Sequence, residues 1–310
     1  VVSTIPHRPA TARRDPPARP RSALAKSRRR AGAIYALPMA SIVAVLFVVP
    51  LVLMIWMSFN DWPLIGASAP NGVVDYRALQ DPLFLRAVVF TIKYTIVTTI
   101  VLSLVAFGLA LLLLEARPGT GLFRAVFFLP ASVGLASASL LFYGLFNNTS
   151  SPLNAIVRFL HLSNRDIDWL GSSDNALWST VGMITWRFAG FYMLILMTGL
   201  QSIDPVLYEA ARTDGANRWQ ILGRVTLPLL RPTLALMMVL SVTGSLLAFD
   251  QFYILTGGRH ETATVVIDIY REAFLSQNLG RAAAVSVAVL VALILINGAQ
   301  LRLLRRDQTP

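Results

Sequence analysis

Residues 208–228, YEAARTDGANRWQILGRVTLP, are a polar, helix-forming stretch set between two long apolar runs. A segment of that kind at a membrane border reads as a docking surface. Asp204 is placed to cap a helix whose first turn holds Pro205, a residue with no amide hydrogen to lose there. Gly215 supplies the left-handed residue that ends this helix. A second short helix is expected over 217–225, before Pro228 and Pro232 interrupt the chain. Val206, Leu207, Ala210 and Ala211 form an apolar stripe on the first helix, with Glu209 and Arg212 adding a charge on each side.

The surrounding chain sets the class. Of 310 residues 55% are apolar and 14% charged, and the mean hydropathy is +0.61, which is too apolar for a soluble protein. The chain reads as an all-α integral membrane protein. Apolar runs at 33–57, 88–114, 123–146, 177–200, 234–255 and 282–301 each match the roughly 20 residues needed to cross a hydrocarbon core of about 30 Å. They are continuous and rich in Leu, Val and Ala, whereas barrel strands alternate in polarity over about ten residues. The expected organisation is a disordered basic tail at 1–32, a six-helix membrane domain at 33–304 carrying the loop 201–232, and a short tail at 305–310.

Arginine orients the spans. With the amino terminus inside, eighteen Arg and Lys fall in cytoplasmic segments and seven in outer loops, while Lys93 and Arg187 lie within spans. The asymmetry places both termini and the loop 201–232 in the cytoplasm. The net charge of +11 is therefore mostly a topology signal, and no nucleic-acid partner is expected, since the basic residues lack a reader motif. The run 26–30 reads as a topology anchor for the first span, with binding of anionic lipid headgroups as the alternative.

Several chemistries are excluded. The absence of cysteine removes disulfides and thiolate sites. His7, His161 and His260 stand far apart, so no metal is expected, and Asp166 with Asp168 reads as a solvated loop pair. The only lysines, Lys26 and Lys93, do not follow a Gly-rich turn, so no nucleotide-binding P-loop is present.

The opening stretch resembles the cytoplasmic signature of binding-protein-dependent ABC import permeases: Glu-Ala-Ala, three residues, Gly, nine residues, Ile-x-Leu-Pro. Glu209, Ala210, Ala211 and Gly215 match, and Val225, Leu227 and Pro228 follow at the same distance with Val in place of Ile. The likeness extends over roughly 37–304. Asp75-Tyr76-Arg77-Ala78-Leu79 with Asp81-Pro82 and Phe84 is similar to a stretch of carbohydrate permeases that usually begins with Asn. Phe123-Arg124 and Leu129-Pro130, then Trp169-Leu170, Trp186 and Gly190-Phe191, continue it. Phe249-Asp250 and Leu255-Thr256-Gly257-Gly258 resemble the first of two paired sugar permeases, with Arg259 and His260 replacing the usual continuation.

That resemblance implies a six-span type I importer permease of the carbohydrate class, in a bacterial cytoplasmic membrane. It implies a second homologous permease, two copies of a cytoplasmic ATPase that bind ATP-Mg, and an extracytoplasmic substrate-binding protein. The chain itself would hold no cofactor and carry no enzymatic activity. Coupling to the ATPase would fall to Tyr208, Glu209, Ala210, Ala211, Asp214, Gly215, Leu227 and Pro228. Import of a glycerol-phosphate or glycerophosphodiester solute is the alternative, with Arg187 serving a phosphate. A proton-coupled secondary transporter is weaker, because acidic residues are nearly absent from the spans, and a membrane enzyme lacks a catalytic constellation.

Polar groups at depth are the pathway candidates. Ser241 and Ser245 share a helix face with Ala248 and Phe252 below them, and either close packing or solute contact fits them. Asp250, beside Phe249, sits near the outer end of the fifth run and either accepts solute hydroxyls or reaches water. Arg187 lies about ten residues into the fourth run, roughly 15 Å from its start, and is expected to face a wet cavity or a carboxylate. Lys93 is expected to snorkel.

Overall fold

The protein is seen in a computed structural model that describes residues 35–114, 118–147, 151–161, 163 and 165–306, without side chains at 303–306. The expected tail at 1–32, the cluster 26–30 within it and residues 307–310 lie outside the described residues; 305 and 306 continue the last helix.

Two units divide the chain, Val1–Leu53 and Met54–Pro310. The described part of the first is helical and belongs to α1 (Tyr35–Met57). Pro50 does not break it. The preceding turn, Ala44–Val48, widens to π geometry, and the Val49 amide reaches back to the Ala44 carbonyl, which makes room for a ring that would clash in a regular turn.

In the second unit, Asn60–Asp61 pairs antiparallel with Ala69–Pro70, and a 3-10 turn at Val74–Gln80 leads to α2 (Pro82–Leu112). Asp81 caps α2 by accepting the Leu83 amide at 2.9 Å. Its other end is held by Arg124 of α3 (Thr120–Phe128), whose guanidinium donates to the Leu113 carbonyl at 2.6 and 3.2 Å. A cation on the last carbonyls also complements the helix dipole.

The run expected as a third straight span is broken. A 3-10 turn at Leu129–Ser132 follows α3, Val133 is extended, and α4 (Leu135–Phe146) leaves at 95°. After α5 (Pro152–Phe159) come α6 (Ser173–Gln201), α7 (Pro205–Thr213), α8 (Arg218–Leu246), α9 (Asp250–Thr256), α10 (Val265–Tyr270) and α11 (Leu279–Arg306). Among the described residues five helices, α1, α2, α6, α8 and α11, are long and apolar enough to cross a membrane, and the bent pair makes six if it is one span.

Two further expectations are corrected around α8. Pro228 and Pro232 do not interrupt the chain: a π turn at Leu222–Thr226, in which the Leu227 amide bonds the Leu222 carbonyl, absorbs the first, and the helix continues through the second. The fifth run ends at Leu246 rather than 255, because Leu247 to Phe249 leave the helix before α9 begins.

The core is built on α2 against α6 and α8. Leu102 and Ala106 pack with Met193, Leu196, Leu230 and Met237. Toward the opposite end from α7, Phe252 meets Phe90 and Tyr94 edge-on at 5.0 and 4.8 Å. Hydrophobicity alone does not drive helices together in lipid, so close approach by small residues matters. At Gly190 the backbones of α6 and α3 touch, and an added Cβ would strike the Phe127 carbonyl group and stand 2.7 Å from the Phe128 nitrogen.

Candidate coupling loop and pathway residues

Between α6 and α8 the chain forms one short helix, α7, capped at both ends, and the start of α8 carries its own local cap. Asp204 accepts the Val206 amide at 2.9 Å, with Pro205 at the first helical position. At the other end Gly215 is left-handed, with φ +78°. Its amide bonds the Arg212 carbonyl and the Ala216 amide bonds the Ala211 carbonyl, both at 3.0 Å, the double closure of a Schellman ending. Immediately afterwards Asn217 accepts the Gln220 amide at 2.9 Å while its own amide donates to the Gln220 side chain at 2.8 Å, a capping box. Backbone polarity is thus met inside the loop, and the outward side chains are free to serve a partner.

The predicted coupling residues divide by position. Glu209, Ala210, Asp214, Gly215 and Leu227 are exposed, and Ala211 and Pro228 are half-buried. Tyr208 faces inward. Its ring packs on the core, and its hydroxyl accepts a bond from Thr226 at 3.4 Å, so it positions α7 against the start of α8. Trp219 is 81% exposed at the tip. Sequence reasoning passed over it, although a lone indole in so polar a loop was a visible signal.

The intramembrane candidates separate as well. Ser241 and Ser245 are both buried, and Ser241 donates to Thr99 of α2 at 3.3 Å. Thr95, Thr98 and Thr99 of α2 are buried as well. Further along, the Gln251 amide donates to the Tyr94 hydroxyl at 3.3 Å, and Thr91 accepts the Val265 amide at 3.1 Å. Arg187 is buried too, but its partner is not a carboxylate. Its Nε donates at 2.9 Å to the Val133 carbonyl, at the bend between α3 and α4, and the guanidinium carbon lies 4.2 Å from the Phe188 ring centroid. The extended backbone at Val133 takes that carbonyl out of the helical ladder, and a part-buried acceptor there is served by another donor. Lys93 pairs with Asp174 in the first turn of α6, both side chains at least half exposed. Asp250 is half-buried in the first turn of α9 beside Phe249, beyond the end of α8.

At the end of the bundle away from α7, a cavity of about 750 Å³ is lined by Tyr143, Asp168, Tyr253, Arg259, His260 and Arg271, among others. Arg271 shapes its edge by donating to the carbonyls of Gly257 and Gly258 at 3.0 and 3.2 Å. Both glycines have positive φ, which they adopt without steric cost.

Apolar crossing helices that present a locally capped polar loop at one end and a cavity at the other define a membrane-embedded transport subunit. The chain belongs to the family of binding-protein-dependent transport system inner membrane components, whose model matches residues 22–307. It is 31% identical over 251 residues to the trehalose/maltose transport system permease protein MalF of Thermococcus litoralis, covering 80% of this chain and 84% of that one. Identity to the probable starch degradation products transport system permease protein AmyD of Thermoanaerobacterium thermosulfurigenes is 26% over 255 residues, covering 81% and 86%. A solved bacterial ABC transporter involved in the import of the acidic polysaccharide alginate has the same fold, with a TM-score of 0.78 at 23% identity over 92% of this chain and 99% of that one.

Proposed function

We propose that this chain is one of two paired permease subunits of an ATP-driven importer for a sugar or related polyhydroxylated solute, and forms half of the translocation pathway. The observation that carries the coupling role is the loop at 204–220, whose backbone is capped from within while Glu209, Asp214 and Trp219 stay exposed. A rigid surface of this kind suits a cleft in a separate ATPase, two copies of which would bind ATP-Mg. The sugar class rests on relatives named for starch degradation products, trehalose/maltose and, at 28% identity, arabinooligosaccharides in Bacillus subtilis. An extracytoplasmic binding protein would deliver the solute, in keeping with a solved alginate transporter captured with its periplasmic protein. The arginine asymmetry supports a cytoplasmic loop and cytoplasmic termini in a bacterial inner membrane.

Within the pathway, solute contact is assigned to the neighbourhood of Phe249 and Asp250. Ser241 and Arg187 are assigned to holding helices together, because each bonds a neighbouring element of its own subunit, and Ser245, buried one turn on from Ser241, is assigned with them. The test is uptake by the whole assembly in proteoliposomes. Wild type should accumulate oligosaccharide only with ATP, while Glu209→Lys and Gly215→Val should reach the membrane and fail to transport. Normal uptake and normal stimulated ATPase activity in both variants would refute the coupling role.

A further inference from the structure

Phe249, Tyr253, Tyr270 and Phe274 form one aromatic cluster, and Tyr253 is the member that lines the cavity. Tyr253 stacks on Phe249 with centroids 5.0 Å apart and planes 16° from parallel. Tyr270 meets Tyr253 edge-on at 5.1 Å and Phe249 at 5.4 Å, and Phe274 lies 5.0 Å beyond Tyr270. Aromatic rings gathered only to fill a core would be covered, yet Tyr253 is 41% and Phe274 56% exposed. Tyr253 is therefore a ring braced by its neighbours and presented to the cavity it lines.

The remaining wall narrows the ligand class. Its volume falls within the roughly 300–1,000 Å³ of small-ligand sites. Tyr143 and Phe146 add aromatic side chains, Asp168 a carboxylate acceptor and Arg259 a guanidinium donor, while Arg271 is already engaged with two carbonyls. Mixed charge over an aromatic shelf does not select a simple anion, and a lipid chain has no use for the polar rim. A sugar ring fits both features, since its C–H face packs on an aromatic plane and its hydroxyls donate and accept around the edge.

We infer that this cavity is a transient receiving site for one ring of an oligosaccharide, with Tyr253 as the stacking shelf and Asp168 and Arg259 as hydroxyl partners. The inference rests on the sugar-importer reading, and the experiment separates the two. The assembled importer, with its ATPase, second permease and binding protein, is first tested for ATP-dependent uptake of trehalose, maltotriose and arabinotriose. Uptake of none overturns the sugar reading and the shelf with it. With a transported sugar in hand, Tyr253→Ala and Tyr253→Leu should slow uptake about 3- to 10-fold, the scale of one lost aromatic contact, and Tyr253→Trp, which keeps an aromatic face, should lose less than either.

A second readout does not depend on transport by the altered shelf. The chain has no cysteine, so Leu275→Cys places a single thiol on the cavity wall. The transported sugar should slow its labelling by a small water-soluble reagent, and Tyr253→Ala added to Leu275→Cys should remove the protection. Leucine behaving like tryptophan at 253, or no protection by a sugar that wild type transports, would overturn the shelf while leaving the importer assignment intact.

Discussion

Replacing Gly190 by alanine should destabilise the permease even though alanine is the better helix former. A Cβ at 190 would collide with the Phe127 carbonyl and stand 2.7 Å from the Phe128 nitrogen, where ordinary van der Waals contact begins at 3.4 Å. The obstructing atoms are backbone, so no rotamer relieves the clash, and α6 and α3 must separate by about 1 Å, enough to stretch the nearby bond from Arg187 to Val133 beyond normal range. Overpacking costs about 1–3 kcal/mol, and a backbone obstacle argues for the upper half. Helix propensity returns about 1 kcal/mol, leaving a net loss of about 1–2 kcal/mol. For a chain of 310 residues that is a fall in Tm of roughly 1.5–3 °C. Gly182 is the control on the same helix, since nothing lies within 4 Å of its added Cβ. There the propensity gain stands alone, and alanine should raise Tm by roughly 1–2 °C. The two variants are compared in detergent by thermal unfolding followed by size-exclusion chromatography. If Gly190→Ala melts at or above wild type, or if both alanines shift Tm in the same direction, the close crossing of α3 and α6 is wrong.

Arg187→Met should cost about 1–3 kcal/mol of stability by stripping the Val133 carbonyl of its donor; an unchanged Tm with a raised half-saturation for solute would instead make Arg187 a pathway residue. Burial raises the Asp75 carboxyl above its ordinary pKa, with Asp61 adding to the rise and Asn71 and Arg281 opposing it, and its Oδ2 has no hydrogen-bond partner. The folded state then favours the proton, so this stabilisation is complete below the unfolded value of about 3.9 and is lost as pH rises through the higher folded value. Asp75→Asn should therefore raise Tm at about pH 8 and lose that advantage at about pH 4, and equal shifts at both would rule this out. Trp219→Ala should weaken binding of the ATPase by about 2 kcal/mol, roughly 30-fold in Kd, as truncation of an interfacial indole commonly does; unaltered affinity in a pull-down titration would remove it from the interface. Alkaline phosphatase fused after Gln308 should be inactive, and activity there would reverse the proposed topology.

Features whose physics is local were legible in the sequence. Continuous apolar length revealed the crossing helices, because backbone in lipid must satisfy its own hydrogen bonds. The first helix of the loop was readable at both ends, since Asp204, Pro205 and Gly215 act on amides and carbonyls a few residues away. What tertiary structure alone decided involves distant partners. Arg187 finds a carbonyl 54 residues earlier, and Ser241 finds a hydroxyl 142 residues earlier. Proline shows the boundary most clearly. Pro130 stands at a 95° break, whereas Pro50, Pro228 and Pro232 lie within continuous helices. The residue carries the same geometric demand each time. At Pro50 and Pro228 a π turn just before it absorbs the strain. At the bend, Arg187 of α6 supplies a donor to the Val133 carbonyl, which the helical ladder no longer serves, and that donor exists only once the helices have packed.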